Sequence, residues 1–237
     1  MSAVLAAATV LLEIAYPLVH GQPRNVLTVV TVVAFFLASA THALAHRGLR
    51  WAAAFVLVTV GTGLLAEAVG TATGVPFGHY DYRSSLGAKA FGVPVVIPLA
   101  WSMMAYPSLL VGRALSRSRV GAAVVGGWGL ASWDLFLDPQ MVDAGHWRWQ
   151  SVRHALPGAP DVPVSNYLGW LAVAILLMAV LQGLPRRPAD ERVPRALYLW
   201  TYASSVLASL AFFGRPATAV VGGVGMGLVA IPYAVRR

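Results

Sequence analysis

The chain has no cysteine among its 237 residues, which excludes disulfides, thiolate chemistry and cysteine-ligated metal and leaves its redox compartment open. It is also poor in charge. Charged residues make up 11% of the sequence against 58% hydrophobic, and the mean hydropathy is +0.68. So little polar surface does not cover a water-soluble domain of this length, and the composition predicts a polytopic membrane protein. The sequence starts directly on an apolar stretch, with no basic region before it and no small-residue cleavage site after it, so that stretch is expected to be a retained span and not a removable signal. The formal charge of +8 is no nucleic-acid footprint, because the arginines stand in short runs between apolar segments and not along one stripe. They fit topology signals and contacts with anionic lipid.

Apolar runs separated by Gly, Pro, Arg or polar clusters predict one all-α transmembrane domain over 1–237, with about eight spans. They lie near 3–20, 25–45, 50–70, 93–114, 119–138, 164–184, 195–213 and 216–235, each close to the roughly 20 residues needed to cross the hydrocarbon. The first and the last two are the least separable, which makes seven the alternative count. With eight spans, the connections after the second, fourth and sixth, together with both termini, carry 11 of the 17 Lys and Arg residues. The positive-inside rule then puts both termini in the cytoplasm of a cell membrane, and the long loops at 71–92 and 139–163 on the outer side.

The few acids are therefore informative. Asp134 and Asp138 stand four residues apart at the expected end of the fifth span, a spacing that puts both on one helix face. Glu67 lies near the outer end of the third span, and Glu13, midway along the first, approaches the group from below. Ionisable groups at membrane depth are expensive, so their default reading is functional. Desolvation and a neighbouring carboxylate both favour the neutral carboxylic acid, the form a general acid needs. The competing structural reading pairs Asp134 and Asp138 with Arg148, Arg153 or a histidine, and Glu67 with Arg83 or His79.

The two long loops resemble each other. Glu67 stands 11 residues before Gly78–Tyr82 (GHYDY), and Asp134 stands 11 before Gly145–Trp149 (GHWRW). Val93-Pro94-Val95 then precedes Trp101 as Val162-Pro163-Val164 precedes Trp170. This predicts a parallel internal repeat, spans 3–4 against spans 5–6 (about 60–114 and 127–184), with Glu67 and Asp134 as counterparts facing one cavity. Of the outer-side aromatics, Trp101, Trp133, Trp147 and Tyr80, with His79 and His146, are the candidate ligand-contacting residues; an interfacial aromatic belt is the alternative for many of them. The pair His42 and His46 is too isolated for a metal cluster, so no metal site is expected. Pro94, Pro98 and Pro107 are expected to kink the fourth span and open a lateral entrance. The small residues between Arg215 and Gly227 predict helix association.

The stretches PFGHYDY (Pro76–Tyr82), GVPVVIPLAW (Gly92–Trp101), WDLFLDPQMV (Trp133–Val142), GHWRW and VPVSNYLGW (Val162–Trp170) resemble the integral membrane carotenoid biosynthesis family that contains the CruF-type carotenoid hydratases, over about residues 60–185. The resemblance implies addition of water to the terminal C=C of an acyclic carotenoid end group, giving a tertiary alcohol. Substrates of that family include monocyclic or acyclic carotenoids and the C50 precursors of bacterioruberin. The implied partners are a carotenoid drawn from the bilayer, membrane lipid and other carotenoid enzymes. It assigns no catalytic residues. From residue chemistry alone, hydration needs a desolvated acid, an aromatic surface that tolerates a tertiary cation, and a positioned water with a base, but no cofactor. Asp134 or Glu67 is the expected proton donor; the other, or Asp138, orients the water, and Trp101, Trp133 and Trp147 shield the cation. The rival readings are an end-group cyclase using the same protonation, a proton-coupled carrier, and a scaffold for carotenoid enzymes.

Overall fold

A computed structural model describes residues 1–236. Along the chain come α1 (Ser2–Ala15), α2 (Gln22–Arg47) and α3 (Leu49–Thr73), then strands β1 (Tyr80–Tyr82), β2 (Lys89–Ala90) and β3 (Val93–Pro94). Helices α4 (Val96–Leu115), α5 (Arg119–Ala131) and α6 (Asp134–Asp143) lead into β4 (Trp147–Trp149), β5 (Ala155–Leu156) and β6 (Ala159–Pro163). The chain closes with α7 (Val164–Leu181), α8 (Arg192–Ala211) and α9 (Pro216–Val235). Among the described residues, five segments are long and apolar enough to cross a bilayer: α2, α3, the α5–α6 stretch Arg119–Asp143, α7 and α9. Leu57, Leu65, Leu176, Val224 and Leu228 are exposed on their surfaces, as side chains in contact with lipid would be. The chain is a helical membrane protein.

Each expected apolar run holds helix, with three local differences. First, α1 stops at Ala15 and continues only as a single turn of 3-10 helix, Tyr16–Leu18, so Glu13 lies in its last turn and not midway along it. Second, the fifth run breaks at Ser132 and Trp133, then resumes as α6 through Asp143 with Pro139 inside it. Asp134 therefore opens a helix and does not close one, and that helix ends at Asp143. Third, the long loops are not purely irregular: β1 pairs with β4, β2 with β3 and β5 with β6, all antiparallel. These short ladders satisfy backbone groups that would otherwise be stranded where water is scarce.

At the centre runs α4, buried for most of its length and packed by α2, α3, α5, α8 and α9. Because protein and not lipid surrounds it, it carries Ser102, Ser108, Tyr106 and Pro107 and falls outside the five segments long and apolar enough to span. The three prolines expected to kink the fourth span take different places. Pro94 belongs to β3, Pro98 sits in the first turn of α4 where no backbone donor is needed, and Pro107 is buried.

The end of the bundle away from the long loops is latched by polar contacts. The buried Arg47 guanidinium donates to Tyr106 Oη (3.1 Å), the Arg187 carbonyl (2.7 Å) and Glu191 (2.6 Å). His42 bonds Tyr106 and the Asp190 carbonyl and stacks on His46 at 4.3 Å, so this histidine pair fastens the α7–α8 connection to α2. Small residues set the close helix crossings: a Cβ on Gly112 would come 2.2 Å from the Ala122 carbonyl oxygen, so α4 and α5 touch backbone to backbone there. Replacing Gly112 with Ala forces them apart. Overpacking of this kind costs about 1–3 kcal/mol, and the variant is expected to unfold at a clearly lower temperature in nanodiscs than the parent.

Candidate active site

The paired loops put the two similar stretches face to face, with Tyr80 opposite Trp149, Asp81 opposite Arg148 and Tyr82 opposite Trp147. Beneath this ladder, a cavity of about 30 Å³ is bounded by Glu67, Asp138, Asn166, Trp101, Trp147 and Trp170, among others. That is room enough to hold water. Its acids are held by neutral donors. Glu67, on α3, accepts hydrogen bonds from Tyr80 Oη, from Tyr82 Oη (2.8 Å) and from Trp101 Nε1 (2.9 Å). Burial first, and then the Glu67 carboxylate, push both phenols well above their ordinary range, so they remain protonated donors.

Asp134 and Asp138 are both buried and lie within hydrogen-bonding reach of each other. Asn166, in the first turn of α7, divides its amide between them, donating to Asp134 Oδ2 (2.8 Å) and also to Asp138 Oδ2. Asp138 further accepts from Trp147 Nε1 at 3.0 Å. One oxygen of Asp134, Oδ1, is buried with no partner. No arginine or histidine among the described residues bonds any of these three carboxyl groups; Arg215 instead pairs with Asp143 at the rim.

The tryptophans are stacked for contact. Trp101 lies on Trp170 with ring centroids 3.9 Å apart and planes 10° from parallel, and Trp133 meets Trp170 edge-on at 6.3 Å. Gly63 makes the first of these possible, because a Cβ there would fall 2.9 Å from Trp101 Cβ. Next to the acid cavity is a larger, mostly apolar chamber of about 160 Å³, and Ile97, Ala100, Leu137 and Trp147 line both. Engineered cavities of about this size admit a benzene-sized group, which is the scale of a branched hydrocarbon end.

A family model described as "Carotenoid biosynthesis protein" matches residues 26–232. The chain belongs to the carotenoid biosynthesis protein family. A protein described as bisanhydrobacterioruberin hydratase, from Haloarcula japonica, is 32% identical over 135 residues, covering 52% of this chain and 44% of that protein. The chain thus matches less than half the length of this relative. No solved structure matches it significantly.

Within this carotenoid biosynthesis protein the structure brings together most of the residues picked from sequence. Glu67, Asp138, Trp101, Trp147 and Tyr80 line the small cavity, and Trp133 lines the chamber. Asp134 borders neither and sits behind Asp138. His79 is exposed, and His146, although fully buried, lines neither space; its Nδ1 bonds Ser85 Oγ at 2.7 Å. Sequence reading passed over Asn166, Tyr82 and Trp170. A lone Asn in the first turn of an apolar span is a signal of the same kind as the acids, since an amide at that depth needs partners.

His146 also gives a pH prediction. Burial holds its ring down to about 4 from 6.5, so between those values the unfolded chain takes up a proton that the folded one refuses, and stability falls as pH drops through that window. His146→Gln is expected to remove up to about 3 kcal/mol of that acid-side loss. Thermal unfolding followed from pH 8 to pH 4 checks it: equal slopes in parent and variant would rule the histidine out as the cause.

Proposed function

We propose that the protein is a carotenoid hydratase, adding water to the terminal C=C of an acyclic carotenoid end group without a cofactor. The observation that carries this reading is the placement of Glu67 and Asp138 on one small, aromatic-walled cavity that shares a wall with an apolar chamber. The printed activity of the Haloarcula japonica relative supports it. The end group enters the chamber from the bilayer and lies against Trp133 and Trp147. Asp138 presents the proton to the less substituted alkene carbon, forming a C–H bond, and Asp134, bridged to it by Asn166, completes the acid pair. In this reading Asp138, and not the expected Asp134, presents the proton. The tertiary cation forms among ring faces whose quadrupoles favour positive charge. Water in the small cavity adds to it through oxygen, and Glu67, oriented by Tyr80, Tyr82 and Trp101, accepts the proton the water releases.

The same proposal includes the eight-span topology with both termini cytoplasmic, and the parallel repeat. In support of the repeat, the β1–β4 register is self-complementary, and counterpart tryptophans 101 and 170 stack face to face, as two halves related by an axis along the membrane normal would.

Expression in a bacterium that makes lycopene or its elongated C50 derivative tests the activity. The expected pigment is heavier by one water per reacted end. An isomer of unchanged mass would instead mean a cyclase, and unchanged pigment would mean a carrier or scaffold. In the same cells Asp138→Asn and Asp134→Asn are each expected to lower conversion by roughly 10²–10⁴-fold, the span of general acid catalysis, while still inserting in the membrane. Full conversion by Asp138→Asn would remove the assigned acid.

A further inference from the structure

The chamber has a second polar wall that the hydration chemistry leaves unused. Glu13 from the last turn of α1, Tyr16 from the 3-10 turn that follows it, Thr31 from α2 and Ser204 and Ser205 from α8 border it. Glu13 accepts from Trp200 Nε1 at 2.7 Å. Tyr16 is only 8% exposed, yet its hydroxyl is buried without a hydrogen-bond partner, and so is that of Thr31. The neighbouring Thr28 and Thr201 hydroxyls, by contrast, are committed to the carbonyls of Arg24 and Leu197 one turn back. Two buried hydroxyls left open on the wall of one apolar space carry a desolvation cost that a bound partner removes.

The chemistry of the wall narrows that partner. No lysine or arginine among the described residues lines the chamber, so it does not suit an anion, and one carboxylate already bonded to an indole is a poor cradle for a metal cation. Tyr16 and Thr31 each offer a donor, and Glu13 offers an acceptor, which matches a neutral group that both accepts and donates. We propose that this wall is a binding site for an O–H group, brought either by a water molecule or by an alcohol on the polyene itself. The proposal rests on the reading of the chamber as the seat of a polyene end. An end group that fills the chamber touches Trp147 and Leu137 on the acid side and the Glu13 wall on the other. Glu13 and Tyr16 precede residue 26, where the family match begins.

The test uses the full-length protein in nanodiscs and two acyclic polyenes with the same terminal alkene, one carrying a tertiary hydroxyl in that end group and one without it. Binding is read from quenching of tryptophan fluorescence, and turnover from the pigments formed, for the parent and for Tyr16→Phe, Thr31→Val and Glu13→Gln. If the alcohol comes from the ligand, the parent binds the hydroxylated polyene at least tenfold more tightly, and each variant shrinks that preference at least fivefold. If the O–H group is water, the two polyenes bind alike and each variant changes Kd at least fivefold for both. Equal binding of the two polyenes, with neither Kd nor kcat moved by the variants, overturns the proposal. A hydroxyl preference without any turnover would keep this site and reject the hydratase reading. Should Tyr16→Phe fail to fold, Thr31→Val alone decides, since it removes one hydroxyl at constant shape.

Discussion

The structure around the site depends on carboxyl groups taken out of water and held only by neutral donors. A buried carboxyl group must be matched by hydrogen bonds or by a cation. Glu67, Asp134 and Asp138 use phenols, indoles and one amide. An arginine in their place would make a fixed ion pair, stable in geometry and unable to give up a proton. Neutral donors position the oxygens without a fixed ion pair. That choice in turn requires aromatic residues from both long loops, which explains why the loops are ordered by β pairing and sit over the helix ends.

Two further arrangements follow from holding this site at the edge of a bilayer. Helix α6, which carries both aspartates, is seated by close contact with α9: a Cβ on Gly222 would meet the Phe136 ring at 2.6 Å, and one on Gly225 would meet Leu135 at 2.5 Å. The small residues expected to drive helix association thus work within the chain, and what they position is the acid pair. At the far end, the Arg47, Tyr106 and Glu191 network ties the α7–α8 connection to α2 and α4. The charged residues divide accordingly. Arginine fastens the end away from the site, and within the acid cavity cations are replaced by dipoles.

Much of this was legible in the residues themselves. Eight apolar runs predicted where helix would lie, because hydrocarbon leaves a backbone few other ways to satisfy its own polar groups. Glu67, Asp138, Trp101, Trp147 and Tyr80 were picked on the cost of polarity at depth and on the likeness of two loops. The placements that differed were those set by packing: the break at Ser132 and Trp133, the shortened α1, the burial of α4, and the position of Asp134 behind Asp138. His79 and His146 share a motif position, yet one is exposed and the other is enclosed, a difference no local pattern encodes.

By itself the sequence determined that this is a helical membrane protein with three costly acids near one end, since composition and the price of burying charge are properties of the residues alone. Only the tertiary structure decided that Glu67 and Asp138 share a cavity, that Asn166 bridges two aspartates, and that Glu13 belongs to a separate polar wall. Those relations join α1, α3, α6, α7 and α8, elements far apart in the chain. Helix periodicity fixes which face a residue occupies, but the partner of that face is set by how the helices pack.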